Sequence, residues 1–262
     1  MPRFAANLSM LFTEALLLER FARAARAGFT AVEIQFPYEL PAEQLQQALK
    51  RNKLQLVLHN LPVGDWAAGE RGIACLPGRI EEFHAGVDKA LVYATALGTP
   101  QLNCLAGIRP ADVTAQEARR VLIDNLRYAA TKLKAHGLKL LIEPVNTKDI
   151  PGFFLSGTQQ ALDIIAEVGA DNLFLQYDVY HAQRMEGDLA NTLTAHIEKI
   201  AHIQIADNPG RHEPGTGEID YPFLFAHLDR IGYTGWIGCE YKPAAATEAG
   251  LGWLDPWLEP KQ

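Results

Sequence analysis

The sequence is poor in cysteine. Only three, Cys75, Cys104 and Cys239, occur in 262 residues. An odd number without the close pairing of a zinc motif gives no indication of a disulfide framework or a cysteine metal site. We therefore expect reduced, buried thiols and a cytoplasmic protein.

Long apolar runs are also missing. Residues 1–21 contain short apolar stretches, but Glu14, Glu19 and Arg20 interrupt them. A secretory signal needs an unbroken apolar core, and a membrane span needs about 20 mostly apolar residues. We expect neither a signal peptide nor a membrane partner.

Positive charge is in deficit. Lys and Arg number 24 against 31 Asp and Glu, and the formal net charge is -7 at pH 7. Such a chain repels a phosphate backbone, so we expect no nucleic-acid partner. With 48% hydrophobic and 21% charged residues, the composition is that of a globular protein with a large core.

The sequence does contain a regular alternation of short apolar runs and longer amphipathic segments. The runs predict strands at residues 3–11, 31–35, 54–60, 101–107, 138–144, 173–178, 201–207 and 236–241. The amphipathic segments predict helices at residues 14–27, 41–52, 79–97, 115–135, 158–168, 187–199 and 221–230, and a last one after Thr247. Ser156 and Asp220 are candidate helix caps.

Eight strands, each followed by a helix, predict an α/β protein with a closed (β/α)₈ TIM barrel, because that fold needs about 250 residues. No compositional break divides residues 1–262, so we expect one domain. The alternative is an open doubly wound sheet. That fold has a glycine-rich phosphate turn after its first strand, and residues 7–14, NLSMLFTE, contain no glycine.

Two long connections, residues 61–79 and 208–222, follow the third and seventh predicted strands. In a TIM barrel both leave the carboxyl-terminal rim, where long loops usually cover a substrate. The alternative is that they are surface loops without a function.

Polar side chains end four consecutive predicted strands. They are Glu143, Asp178, Gln204 and Glu240, on strands five to eight. Because such positions face the mouth of a TIM barrel, we expect their oxygens to converge. For any one acid, a helix cap or a rim ion pair is the alternative.

Carboxylates crowded in a buried mouth raise each other's pKa unless a cation neutralises them. A site with only oxygen ligands suits Mg²⁺ or Mn²⁺ better than Zn²⁺. We therefore expect a divalent metal held by Glu143, Asp178, Gln204 and Glu240. Such an ion polarises a hydroxy-carbonyl compound. Glu143 and Glu240 would then move a proton between the adjacent carbons of this compound as the catalytic pair.

Several long stretches resemble the hydroxypyruvate isomerase family of the xylose isomerase-like barrel superfamily. They include RFAANLSMLF, LHNLPVGDWAAGERGIACLPGR, LLIEPVN, QYDVYHAQRMEGDL, HIQIADNPGRHEPGTGEIDY and WIGCEYKP. The resemblance covers nearly the whole chain. It implies conversion of hydroxypyruvate to 2-hydroxy-3-oxopropanoate (tartronate semialdehyde), with Glu143 and Glu240 as proton donor and acceptor. The resemblance thus implies a small hydroxy-keto acid as the substrate. The related 2-oxo-tetronate isomerases share most of these stretches and are the alternative.

The resemblance also implies a metal bound by the four strand-end residues. Many related epimerases carry histidine on the seventh strand, where this chain has Gln204. His181 and Arg211 are similar to residues that contact the substrate in such barrels, and a surface position is the alternative for each.

A guanidinium should bind the substrate carboxylate, and Arg211 and Arg71 are the two candidates. We also predict that His59 lines the mouth. Hydrogen bonding in the core or in a turn is the alternative for His59.

Two functions of other classes are alternatives to an isomerase. A zinc-dependent DNA-repair nuclease on the same barrel would need more histidine ligands and a basic face. A sugar-acid binding protein would gain little from two opposed carboxylates. The tryptophans Trp236, Trp253 and Trp257 are explained by packing or by an interface, which leaves a homo-oligomer open.

Overall fold

The structure, a computed structural model, describes residues 1–257, and its eight parallel strands close into a barrel in chain order. The strands are β1 (Arg3–Asn7), β2 (Ala31–Ile34), β3 (Gln55–Asn60), β4 (Gln101–Cys104), β5 (Lys139–Ile142), β6 (Leu173–Asp178), β7 (Ile200–Ile205) and β8 (Trp236–Cys239). β1 pairs with β8, which completes the ring. The predicted TIM barrel is confirmed. The last five residues of the predicted domain, 258–262, lie outside the described part.

Helices cover the outside of the barrel. In the described part they are α1 (Leu17–Arg26), α2 (Ala42–Asn52), α3 (Ile80–Leu97), α4 (Ala115–Lys134), α5 (Thr158–Val168), α6 (Val179–Met185), α7 (Leu189–His196) and α8 (Tyr221–Arg230). Short 3₁₀ helices span Pro37–Glu39, Pro77–Arg79, Ile197–Lys199 and Thr247–Trp257. The main core lies between the helices and the strands.

Strand alternation separates this core from the barrel interior. On β1, Phe4 and Ala6 pack against the helices, whereas Ala5 faces inward. The inward apolar group also contains Ala31, Val57, Leu58 and Leu141 and fills the amino-terminal end of the barrel. Nearer the carboxyl end the inward positions are polar, and this change in composition marks the site.

The structure differs from the predicted elements mainly at turns. β1 ends at Asn7 rather than residue 11, because the Asn7 side chain accepts a hydrogen bond from Ser9 N (3.0 Å) and its carbonyl accepts one from Leu11 N (2.8 Å). These bonds fold the chain into a turn. The predicted helix 187–199 is shorter, since α7 ends at His196 and a 3₁₀ turn follows.

The structure confirms one of the two predicted helix caps. Asp220 caps α8 by accepting a hydrogen bond from Phe223 N (3.0 Å), as predicted. Ser156 is not a cap. Gly157 precedes α5 without a side-chain cap, and Glu186 accepts the hydrogen bond from Thr158 N (2.9 Å) instead.

Both long connections leave the carboxyl ends of their strands, β3 and β7, as predicted. The three cysteines are free and buried, also as predicted. Within residues 1–257, no helix combines the length and the apolarity needed to cross a membrane.

Candidate active site

The structure places the four strand-end residues at the carboxyl-terminal mouth of the barrel. Asp178 ends β6, Gln204 is the penultimate residue of β7, and Glu143 and Glu240 directly follow β5 and β8. All four are buried, with at most 6% of each residue exposed. Charged groups at this depth need partners, and the hydrogen bonds of each define the site.

Glu143 is held by two amides from neighbouring strands. Its Oε2 accepts hydrogen bonds from Asn103 Nδ2 on β4 (2.8 Å) and from Gln176 Nε2 on β6 (3.0 Å). These two hydrogen bonds fix Oε2. The other oxygen, Oε1, is directed toward His181 Nε2, 3.9 Å away.

Glu240 is held by three amides and a guanidinium. Its Oε1 accepts from Gln35 Nε2 (2.9 Å), Asn7 Nδ2 (3.1 Å) and Gln204 Nε2 (3.2 Å). Its Oε2 accepts from Arg211 Nη2 (2.6 Å). This charge-assisted bond gives Glu240 the direct cationic partner that Glu143 lacks.

Two glutamines connect the two glutamates. Gln176 Nε2, which donates to Glu143, also donates to Gln204 Oε1 (2.6 Å), and Gln204 Nε2 donates to Glu240. This chain fixes the direction of both amides, since each nitrogen must face an acceptor. Gln204 therefore presents nitrogen to Glu240, and its oxygen is already paired.

Arg211 joins the β7–α8 connection to the site. Its Nη2 lies 3.5 Å from Asp178 Oδ2 as well as 2.6 Å from Glu240 Oε2, and the guanidinium stands over the Tyr180 ring, 5.2 Å from its centroid. Its Nε is buried and has no hydrogen-bond partner in the described part. A donor thus remains for a substrate oxygen.

The two carboxylate oxygens of Asp178 have different partners. Its Oδ1 caps α6 by accepting hydrogen bonds from Tyr180 N (2.8 Å) and His181 N (3.2 Å). Its Oδ2 faces Arg211 and lies 3.7 Å from His181 Nε2. A helix cap was the alternative explanation for any one of the acids. Asp178 is such a cap, and it also belongs to the site.

His181 is buried, and its neighbours fix its tautomer. Asn146 Oδ1 accepts from Asp149 N (2.8 Å), so Asn146 Nδ2 faces His181 Nδ1 (2.7 Å) and donates to it. Since Nδ1 accepts, Nε2 carries the proton. Burial lowers the pKa of His181 to about 4. At neutral pH the ring is thus an uncharged donor that points toward Glu143 and Asp178.

Burial also raises the pKa of both glutamates. The pKa of Glu143 lies well above its usual value because of burial first and then the charges of Glu240 and Asp178. Burial raises the pKa of Glu240 to about 7, against the opposing effect of the Arg211 guanidinium. Because Arg211 bonds directly to Glu240, we expect Glu240 to ionise before Glu143 as pH rises.

A metal site is only partly formed by the predicted ligands. Glu143, Asp178 and His181 each offer a ligand atom, and these atoms lie within 4.8 Å of one another. This buried group could hold a metal. In the four-residue set, however, the oxygen of Gln204 accepts from Gln176 and Glu240 bonds to Arg211. The free donors are therefore concentrated at Glu143 and Asp178, with a protonated His181 Nε2 beside them.

Two predicted substrate-binding residues make their contacts with groups other than these carboxylates. Arg71 is held in its own loop, where it donates to the carbonyls of Glu70 (2.7 Å) and Trp66 (3.1 Å) and stacks on the Trp66 ring (3.9 Å). Its binding of the substrate carboxylate stays a prediction.

His59 pairs in register with Leu102, which packs in the outer core, so its ring lies on the outer face of β3. Its Nδ1 lies 3.2 Å from Tyr38 Oη, and burial lowers its pKa to about 4. The core alternative describes His59 better than a position in the mouth.

Sequence reasoning missed the residue that organises the β7–α8 connection. Asp207 is fully buried and accepts hydrogen bonds from four backbone N–H groups, those of Asn208 (2.9 Å), Gly215 (2.9 Å), Gly217 (2.9 Å) and Ile219 (3.1 Å). An aspartate directly before the Asn-Pro-Gly turn is the signal that could have indicated this role. Asp207 thereby fixes the loop that carries Arg211.

Comparison with known proteins identifies the family of the chain. A family model described as xylose isomerase-like TIM barrel matches residues 21–257. The hydroxypyruvate isomerase of Escherichia coli (strain K12) is 57% identical over 257 residues, which cover 98% of this chain and 100% of that protein. The 2-oxo-tetronate isomerase of Cupriavidus necator is 51% identical over 258 residues, with 98% and 99% covered.

A solved structure described as an AP endonuclease, family 2, from Brucella melitensis superposes with a TM-score of 0.97 at 46% identity, with 99% of this chain and 100% of that chain covered. Similarity of this extent leaves no part of the described barrel without a counterpart. The chain belongs to the hydroxypyruvate isomerase family of xylose isomerase-like TIM barrels.

Proposed function

We propose that this protein interconverts hydroxypyruvate and 2-hydroxy-3-oxopropanoate by proton transfer through an enediolate. The chain is an isomerase, as are its relatives at 57% and 51% identity. One observation carries the proposal: two buried glutamates, Glu143 and Glu240, lie at the mouth, burial raises the pKa of both, and that of Glu240 reaches about 7, close to the neutral range in which proton transfer is efficient.

The different partners of the two glutamates support a division of roles. Glu240, ionised beside Arg211, acts as the base that removes a proton from C3 of hydroxypyruvate. Glu143, which keeps its proton, acts as the acid that delivers one to C2. The hydroxyl proton leaves O3 and a proton is gained at O2, so the product has the same composition as the substrate. Proton exchange with water restores the two carboxyl groups.

The charge that develops on the substrate oxygens needs stabilisation. His181 presents Nε2–H as an uncharged donor, and Arg211 presents the unpaired Nε–H. Fixed donors aimed at a developing oxyanion stabilise the transition state without reorganisation. We assign these two side chains to the enediolate oxygens and to the substrate carboxylate.

We also propose that Mg²⁺ or Mn²⁺, when bound, is held by Glu143 and Asp178. Such an ion polarises the carbonyl as a Lewis acid. Arg211 places positive charge between Asp178 and Glu240 without a metal. We therefore expect chelator-treated protein to retain a measurable rate and Arg211→Ala protein to lose most of it. A complete loss on chelation, restored by either ion, would assign the charge to the metal.

The test of the function is a parallel assay of hydroxypyruvate and 2-oxo-tetronate, followed in deuterated water by NMR. We expect turnover of hydroxypyruvate with deuterium incorporation at the carbon that receives the proton. Preference for 2-oxo-tetronate would assign the protein to the activity named for its 51% identical relative, with the same proton transfer. Absence of both turnover and exchange would refute the proposal.

The nuclease activity named for the Brucella protein is disfavoured by charge. The formal net charge is -7, and a phosphate backbone is attracted by Lys and Arg surfaces. The metal-capable group of the described residues is a single Glu/Asp/His cluster at the mouth. A duplex with one abasic site serves as the direct control, and we expect no cleavage.

A further inference from the structure

A buried carboxylate lies beneath the two catalytic glutamates. Glu33, on β2, is 1% exposed and faces the barrel interior. Its Oε1 accepts hydrogen bonds from Gln204 Nε2 (2.8 Å) and Asn7 Nδ2 (2.9 Å), and His202 Nε2 lies 2.7 Å from its Oε2. Neither Glu33 nor His202 entered the sequence prediction, and the proposed chemistry does not use them.

The two amides that contact Glu33 are also the ones that hold Glu240 from inside the barrel. Asn7 Nδ2 donates to Glu33 and lies 3.1 Å from Glu240 Oε1, and Gln204 Nε2 does the same at 3.2 Å. Each nitrogen therefore bridges two carboxylates. A rotated amide would place its oxygen against both carboxylates, where it has no hydrogen to accept.

The rest of the structure keeps Glu33 in place. His202 is fully buried on β7, and its Nδ1 lies 3.3 Å from Gln101 Nε2. If that nitrogen accepts from Gln101, Nε2–H is directed at Glu33. β8, which like β2 pairs with β1, has Gly238, where an added Cβ would lie 2.3 Å from Glu33 Oε2. The glycine leaves the space that the carboxylate occupies.

We propose that Glu33 is a positioning residue for the isomerase: it fixes Asn7 and Gln204 with their N–H groups toward Glu240. Glu33 does this from within the barrel, where its hydrogen-bond partners are Asn7, Gln204 and His202. The inference rests on the proposed function for its kinetic consequence, although the amide orientation is a structural claim of its own. It also explains why Gln204 acts as a hydrogen-bond donor in this chain rather than as an oxygen ligand.

The main test compares Glu33→Leu with Glu33→Gln. Leucine removes the acceptor, so Asn7 and Gln204 lose the group that directs them. A misplaced catalytic group costs on the order of 10²-fold in rate, so we expect kcat to fall by about that factor with little change in KM. Glutamine keeps an oxygen for both amides and donates to His202 in its other tautomer, so we expect it to restore most of kcat. Glu43→Leu, on the exposed face of α2, is the control and is expected to match wild type.

A second variant covers the case in which Glu33→Leu does not fold. Gly238→Ala adds the methyl group that meets Glu33 Oε2, and we expect the same loss of kcat. The proposal is overturned if folded Glu33→Leu or Gly238→Ala protein, verified by circular dichroism and melting temperature, keeps a wild-type kcat.

A crystal structure of the Glu33→Leu protein separates this inference from the function itself. We expect the Gln204 side chain to leave hydrogen-bond distance of Glu240 or of Gln176. If wild type lacks isomerase activity, the proposed function fails while this structure still decides the role of Glu33. Unchanged positions of Asn7 and Gln204 would overturn the inference whatever the activity.

Discussion

Most of the side chains that hold Glu143 and Glu240 in place carry no charge. Glu143 is bound by an asparagine and a glutamine from the two adjacent strands, and Glu240 by amides from β1, β7 and the segment after β2. These donors stabilise an ionised carboxylate but leave it buried, so the pKa of each glutamate is raised by burial first, shifted by the neighbouring charges next, and lowered by the hydrogen bonds last. Substitutions of single side chains in this site should therefore change the reaction rate more than they change the fold.

Glu143→Gln and Glu240→Gln remove the proton-transferring group while retaining its shape. General acid-base catalysis is worth about 10² to 10⁴ in rate, so we expect kcat to fall by at least this range in each variant. Steady-state assays with hydroxypyruvate measure the loss. Glu43→Gln, at an exposed carboxylate, is the control. A near-normal rate in either site variant would contradict the two-carboxylate mechanism.

The pH dependence of kcat/KM should report Glu240. A base must be ionised, so the rate rises as pH increases through the pKa of Glu240, about 7. The Arg211 guanidinium lowers this pKa, so Arg211→Ala should move the acid limb to higher pH. Rate profiles of the two proteins between pH 5 and 9 make the comparison. An acid limb that stays in place would assign it to another group.

The raised pKa of Glu240 also predicts how stability varies with pH. A carboxyl group whose pKa is higher in the folded than in the unfolded protein favours folding when protonated, and this contribution is lost as pH rises through the folded pKa. Glu240→Gln avoids the ionised form. We therefore expect the melting temperature of the variant, relative to wild type, to increase between pH 5 and pH 8.

The tautomer of His181 can be reversed by one substitution. Asn146→Asp replaces the donor at His181 Nδ1 (2.7 Å in the structure) with an acceptor, which moves the ring proton to Nδ1 and leaves Nε2 without one. Losing one aligned donor costs about 10²- to 10³-fold in kcat. Kinetics and the ¹⁵N shifts of the imidazole together check the result. An unchanged kcat with a reversed tautomer would remove His181 from the mechanism.

The sequence predicted the acids of the site together with Gln204 and Arg211, but it did not predict Gln176 and Glu33. Glu143, Asp178 and Glu240 were found because a carboxylate after a buried strand is unusual. Gln176 and Glu33 lie within strands, where a polar side chain is equally compatible with either face until the register across the ring is known. His59 shows the converse, since its position at a strand end did not reveal that it faces outward.

At the scale of elements, the site residues lie at the carboxyl ends of strands and in the segments that directly follow them. The unpredicted helix α6 begins directly after β6 because Asp178 caps it, so the transition from strand to helix is itself part of the site. Likewise, Asp207 collects four backbone N–H groups of the β7–α8 connection. The sequence predicted that this loop covers the mouth; the single carboxylate that shapes it could not be separated from the other acids nearby.

Gly217→Ala tests the role of this loop. An added Cβ at residue 217 would lie 2.2 Å from the carbonyl oxygen of Asn208, so the backbone must move and Arg211 with it. We expect kcat/KM to fall by about 10²-fold, the cost of a catalytic group displaced by about 1 Å. Gly78→Ala, where nothing lies within 4 Å of the added atom, is the matched control. Equal activity of the two variants would show that the loop tolerates the shift.

At the scale of the whole molecule, the regular alternation of apolar runs was sufficient to predict a closed barrel, and all eight strands were found. The pattern is strong because every strand is buried on both faces. The missed details were turns and short helices, whose hydrogen bonds depend on single side chains. The comparisons agree over nearly the full length, with 98% of the chain matched at 57% identity.

The pairing of β1 with β8 joins residues from opposite ends of the chain, and Asn7 reaches Glu240 across it. A growing polypeptide on the ribosome has Glu143 early but gains Glu240 and its Asn7 contact only when the last strand emerges. Activity therefore requires that β8 and Glu240 have been made. For the same reason, two fragments of the chain divided between β7 and β8 should each be inactive alone. Turnover after mixing would then show that they have associated.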